Sequence, residues 1–143
     1  MSFNIKKDWD EESGLTIVTV TDNDKTYCGT SKCHPDDVDF KSQDFGESVA
    51  TERVVLQFLR NMRDNELIPQ IKILKHLYSN MTTSKQFNPK SYEATMVRRQ
   101  LHILEGQLTA LKEQIRERKD LLDYLIDSKE SFNNLIRSKR DNS

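Results

Sequence analysis

Glycine and proline are scarce, four and three in 143 residues, and the scarcity removes the loops on which most nucleotide enzymes rely. No G-x-x-x-x-G-K-[ST] or G-x-G-x-x-G motif is present to cradle a phosphate, and neither H-E-x-x-H nor G-x-S-x-G occurs. The chain is therefore expected to be no enzyme and to need no cofactor. Long apolar runs are lacking too. Nothing approaches the roughly 20 residues that span a bilayer, and the N-terminus MSFNIKKDWDEE has no apolar signal-peptide core. The expectation is a protein of the cytoplasm with no membrane partner, whose two cysteines stay reduced.

A strong charge of one sign is the third absence. The net charge is −1, far short of the basic excess of a duplex-DNA binder, so a nucleic-acid partner is not expected. The balance hides an asymmetry: residues 1–45 carry five basic and ten acidic side chains, a net of −5, and the remainder carries +4. Halves of opposite sign suit head-to-tail packing, or an anion site on the second one. A mean hydropathy of −0.76 with 31% charged residues is polar for a compact globule and common in chains with long solvated helices. At this length a single domain is expected.

The residues that are present fall into an order along the chain. In the region 1–45, the β-branched run Leu15 to Val20, the turn residues Thr21 to Lys25 and the resumption at Thr26 to Cys28 predict a β-hairpin. The acidic residues after Pro35 read as loop, and Ser42 or Asp44 is placed to cap the next helix. In the region 46–80, Val49, Ala50, Val54, Val55, Phe58, Leu59 and Met62 fall at helical spacing. Pro69 cannot sit in a helix interior without losing a hydrogen bond, so a boundary is expected between Asp64 and Pro69, with a second medium helix carrying Ile71, Leu74, Leu77 and Tyr78. Residues 81–90 are polar and read as a connector.

Residues 91–140 give the strongest periodic signal. Steps of three and four from Ala94 reach Val97, Leu101, Leu104, Leu108, Leu111, Ile115, Arg118, Leu122, Leu125, Lys129, Phe132 and Ile136, and only Arg118 and Lys129 break the apolar seam. A seam repeating every 3.5 residues for that distance is the pattern of a left-handed coiled coil. The two preceding helices are too short to cover it, so a second copy of the chain is expected as partner. The alternative is an intramolecular three-helix bundle in which the long helix bends at Gly106. Leu121, Tyr124 and Ile126 widen the stripe after Arg118, a breadth that suits a multi-helix bundle better than a two-stranded rod. The fold class is accordingly α+β: an N-terminal β-hairpin, two medium helices and a long C-terminal coiled-coil-like helix in a homo-oligomer.

The stretch CGTSKCHPDD packs Cys28, Cys33, His34, Asp36 and Asp37 into ten residues. Zinc needs four converging ligands, usually as two pairs, and Cys28, Cys33 and His34 make three with no second pair in the chain. A thiolate nucleophile needs a base beside it, and adjacent residues of extended chain point opposite ways. No metal site is expected. The stretch reads as a turn, with Cys28 as a small apolar residue and Pro35 and the aspartates shaping the backbone. Two sets on helices remain. Phe87, Asn88 and Tyr92 precede Arg98 and Arg99. Aromatic faces stack on bases and guanidinium groups pair with phosphates, so these residues form a candidate site for a nucleotide-like anion, against the reading of a solvated flank with the rings packed at its entrance. Arg116 and Arg118 form the second set. Arg118, at a seam position, needs an anion, supplied by Glu113, Glu117 or Asp120 of a neighbouring helix or by a bound phosphate.

The run from Gly29 to Phe40, followed by Gly46 to Ala50 and Arg53, resembles small proteins encoded by phages and prophages of Gram-positive bacteria, in which a short β segment, a Cys-His/Pro-Asp-Asp stretch and a Gly-to-Arg helix start precede a long helix. The architecture is also similar to the Thoeris anti-defence sponges, oligomers that withhold a cyclic ADP-ribose isomer from its effector. That likeness implies a non-catalytic anti-defence protein of the host cell cytoplasm that sequesters a nucleotide-derived signal between subunits, with Phe87 or Tyr92 stacking a base and Arg98, Arg99 or Arg116 holding phosphates. The other expectation is an inhibitor or scaffold that contacts a host protein and holds no small ligand.

Overall fold

The computed structural model describes residues 3–33 and 41–141, and the side chains of residues 4–33 and 41–140. It is an α+β structure in which a three-stranded sheet precedes the helices. Strands β1 (Phe3–Asp10), β2 (Leu15–Asp22) and β3 (Lys25–Ser31) form an antiparallel meander in the order β1-β2-β3. The expected hairpin is β2 and β3. Its two-residue loop follows from the pairing of Asp22 with Lys25, and Asn23 takes the positive φ of 54° that such loops require. Strand β1 was not expected; it pairs with β2 from Phe3–Asp22 to Asp10–Leu15. Lys6, Lys7, Asp8 and Asp10 disguise it, yet charges of this kind are what protects a sheet edge from pairing with other chains. The turn after β1 is held by Asp10, whose carboxylate accepts from Ser13 Oγ (2.7 Å) and the Glu12 N–H (3.1 Å).

Helix α1 spans Gln43–Met62, α2 Ile68–Thr82 and α3 Tyr92–Asp141. The boundary expected at Asp64 to Pro69 is a π-helical turn, Arg63–Leu67, in which the Ile68 N–H reaches the Arg63 carbonyl five residues back. Pro69, in the first turn of α2, has no N–H to give to the carbonyl four residues behind it. The chain widens by one residue per turn instead of breaking.

The chain divides into two compact units, Met1–Phe58 with Arg116–Ser143, and Leu59–Ile115. In the first, Val18, Tyr27, Ala50 and Val54 form a buried cluster joined by Val20 and Phe58, with the Tyr27 and Phe58 rings edge to face at 5.5 Å. Gly29 has no Cβ because the Ala50 carbonyl of α1 lies directly against it. Gln57 accepts the Cys28 N–H (2.8 Å) and Arg53 donates to the Thr30 carbonyl, so α1 satisfies the outer edge of β3. In the second unit Ile71, Ala94, Leu104, Leu111 and Ile115 are buried, and Lys75 of α2 meets Glu105 of α3 at 3.6 Å.

Candidate functional site

The connector 83–91 is a series of short turns that returns the chain onto α2. Phe87 N–H bonds the Ser84 carbonyl, Asn88 Oδ1 accepts the Lys90 N–H, and Ser91 caps α3 by accepting the Ala94 N–H. This path lays Phe87 edge-on against Tyr78 of α2, with ring centroids 6.1 Å apart. Two turns into α3, Arg98 extends to the Tyr78 hydroxyl at 3.4 Å. Two members of the first set, Phe87 and Arg98, are thus gathered around Tyr78. Asn88 is committed to its turn. Tyr92 is 74% exposed and lies roughly 120° around the helix from Arg98, whereas Arg99, seven residues on from Tyr92, shares its side. The set therefore presents two faces.

Arg116 and Arg118 lie in the first unit, and both are exposed. Arg118 meets Glu52 of α1. Its Nη1 lies 3.1 and 3.2 Å from the two carboxylate oxygens, and its side chain keeps 47% of its surface in water. The seam breaks there because α1 supplies an acid at that level. Lys129, the other break, places its ammonium 5.8 Å from the Phe45 ring centre and 5.6 Å from that of Phe132. Such contacts satisfy a charge without a carboxylate.

The seam itself is largely covered by this chain. Ala94, Leu104, Leu111, Ile115 and Leu122 are buried, most of the other seam positions are half-buried, and Phe132 stays 54% exposed. The apolar surface left in water borders the seam on α3 and shares Phe132 with it. In the first unit Leu121, Tyr124, Phe132 and Leu135 are 45–68% exposed and fall within about 80° of helix arc. In the second unit Tyr92, Met96 and Ile103 of α3 are likewise exposed, as are Ile73 and Leu77 of α2. The widening at Leu121 and Tyr124 is the sequence signal for this row.

Cys28 sits exposed on β3 and Cys33 just beyond it, neither in a disulfide. Among the described residues no group of three His, Cys, Asp or Glu side chains is placed to hold a metal ion. His34 and the turn assigned to it lie outside those residues. No described helix is long and apolar enough to cross a membrane. A groove of about 450 Å³ in the second unit, lined by Leu67, Gln70, Leu104, Leu111, Gln114 and Glu66 among others, has the volume of a small-molecule site. None of its described lining residues is a cation, so it is unsuited to a phosphate-bearing ligand. Compared with known proteins, the chain matches no family model, no curated protein and no solved structure.

Proposed function

We propose that the protein is a non-enzymatic binding protein that works as a homo-oligomer, its copies pairing through the row Leu121, Tyr124, Phe132 and Leu135 of α3. The observation that carries this reading is the row itself, four large apolar side chains about half or more in water at helical spacing. Its flanks favour a second copy as occupant. Asp120 and Asp127 border one side of the row, and Arg118 and Lys129 the other. In a parallel pair each flank meets the opposite flank of the partner, acid against base, whereas an antiparallel pair sets the acidic flank against itself. Half-burial of eight such side chains in a dimer supplies about 8 kcal/mol, comparable with the cost of association, so the oligomer is concentration-dependent.

Native mass spectrometry across protein concentration tests this. Dimer or higher species are expected for the wild type, and monomer for Tyr124→Asp/Leu135→Asp with its helical circular dichroism retained. A wild type that stays monomeric at about 100 µM, where a net association free energy of about −5.5 kcal/mol would already half-form the dimer, overturns the proposal. Stoichiometric binding of one host protein through the same row would put the scaffold reading in its place.

One observation favours a second reading, sequestration of a nucleotide-derived signal as a phage anti-defence protein. Phe87, Tyr78 and Arg98 offer aromatic edges beside a guanidinium that is held by a long bond to a phenol and by no carboxylate among the described residues. Arg98→Ala/Arg99→Ala is expected to lose a nucleotide retained by the wild type, and unchanged retention dismisses that site.

A further inference from the structure

The first unit holds a smaller cavity, of about 110 Å³, whose wall collects residues from five parts of the chain. Lys32 and Cys33 follow β3, Lys41 and Ser42 precede α1, Phe45 and Gly46 belong to the first turn of α1, Lys129 and Asn133 come from α3, and Gly14 closes the turn after β1. The packing at its edge is tight. Gly14 has φ +73°, and a Cβ there would come within 2.8 Å of Cys33 Cβ and 3.3 Å of Lys41 Cβ.

Three properties of the wall point to one kind of occupant. Among the described residues that line it, three are lysines and none is a carboxylate. Lys129 is held by the Phe45 and Phe132 rings, which steady an ammonium without cancelling its charge. Lys41 lies near enough to Asp10 to help hold that carboxyl below its ordinary value, the smallest of several influences on it. The first turn of α1 adds the positive end of its dipole. Finally, Asn133 is 4% exposed and lines the cavity, and its Oδ1 has no hydrogen-bond partner among the described residues. A buried acceptor left unmet is uncommon and asks for a donor.

We infer that this cavity binds a phosphate group, free or carried on a small molecule, with Lys32, Lys41 and Lys129 meeting its oxygens and Asn133 Oδ1 accepting from its protonated oxygen. The volume fits a tetrahedral oxyanion and excludes a whole nucleotide. Hydrogenphosphate carries both the negative oxygens and the O–H that this wall calls for. Sulfate matches it in size and shape and has no proton to give, so it separates charge attraction from recognition by Asn133. The site does not depend on self-association through α3.

Isothermal titration calorimetry of the full chain with inorganic phosphate, sodium sulfate and a nucleoside monophosphate tests the inference. Phosphate is expected to bind once per chain and at least tenfold more tightly than sulfate. Lys32→Gln/Lys41→Gln, both near the surface, is expected to weaken phosphate at least tenfold without changing the melting temperature, and Asn133→Leu to bring phosphate and sulfate together. The monophosphate arm separates the sources: binding only free phosphate marks an ion site, and equal binding marks a phosphoryl group on a larger molecule that stays outside the cavity. No phosphate binding, binding untouched by the lysine substitutions, or sulfate equal to phosphate in the wild type overturns it.

Discussion

Two glycines make opposite predictions from the same substitution. At Gly29 an added Cβ meets the Ala50 carbonyl oxygen of α1, and it lies 2.7 Å from Val54 Cγ2 and 2.9 Å from the Val54 nitrogen. Two of those three neighbours are backbone, so no rotamer change relieves the clash, and α1 must move off the sheet it covers. Overpacking of a core costs about 1–3 kcal/mol and occasionally more, and Gly29→Ala belongs at the upper end, about 3 kcal/mol. Gly106 sits inside α3 with nothing within 4 Å of its would-be Cβ. There the substitution only removes backbone freedom from the unfolded chain, and Gly106→Ala should stabilise by about 1 kcal/mol. On the scale expected for a chain of this size, the pair would melt roughly 10 °C below and 3 °C above the wild type. Urea denaturation followed by helical circular dichroism, with thermal melts alongside, reads both. A Gly29→Ala protein as stable as the wild type refutes the close approach of α1 to β3. A destabilised Gly106→Ala refutes the open surface at that turn of α3.

Other expectations concern charge. The Arg118–Glu52 pair leaves the arginine half in water, so a double-mutant cycle to Ala should return a coupling of about 0.2–1 kcal/mol; a coupling of several kcal/mol would mean that the pair is buried, for instance by a second copy. The Asp10 carboxyl is held below its ordinary value of 3.8, first by the Ser13 hydroxyl and then by the Glu12 N–H. Because the folded value is the lower one, the contribution is complete above the unfolded value and fades as pH falls through the folded one. Ser13→Ala should move the Asp10 midpoint, followed by NMR, up towards 3.8, and an unmoved midpoint would remove Ser13 as the cause.

Much of the local structure was legible because periodicity and turn chemistry are properties of short stretches. The run Leu15 to Val20, the Asp22–Asn23–Asp24 turn, the cap at Ser42, the boundary before Pro69 and a last helix from about residue 91 to 140 all depend on neighbours in the chain. Strand β1 did not, because its charged residues become strand only by pairing with β2.

The candidate sites depended on tertiary structure throughout. Arg118 had nearby acids in its own helix, and its partner is Glu52, 66 residues away. Phe87 and Arg98 met at Tyr78, while Tyr92 and Arg99 turned to another side of α3. The seam was visible in the sequence, but the element that covers it was not, since a stripe specifies an apolar neighbour and leaves its source open. Lys32, Lys41, Lys129 and Asn133 share one cavity although nothing in their spacing connects them. Sequence determines what each backbone segment can become by local sterics and alternation of polarity; which side chains then meet is decided by packing across the chain, where burial and charge are settled between residues that sequence sets far apart.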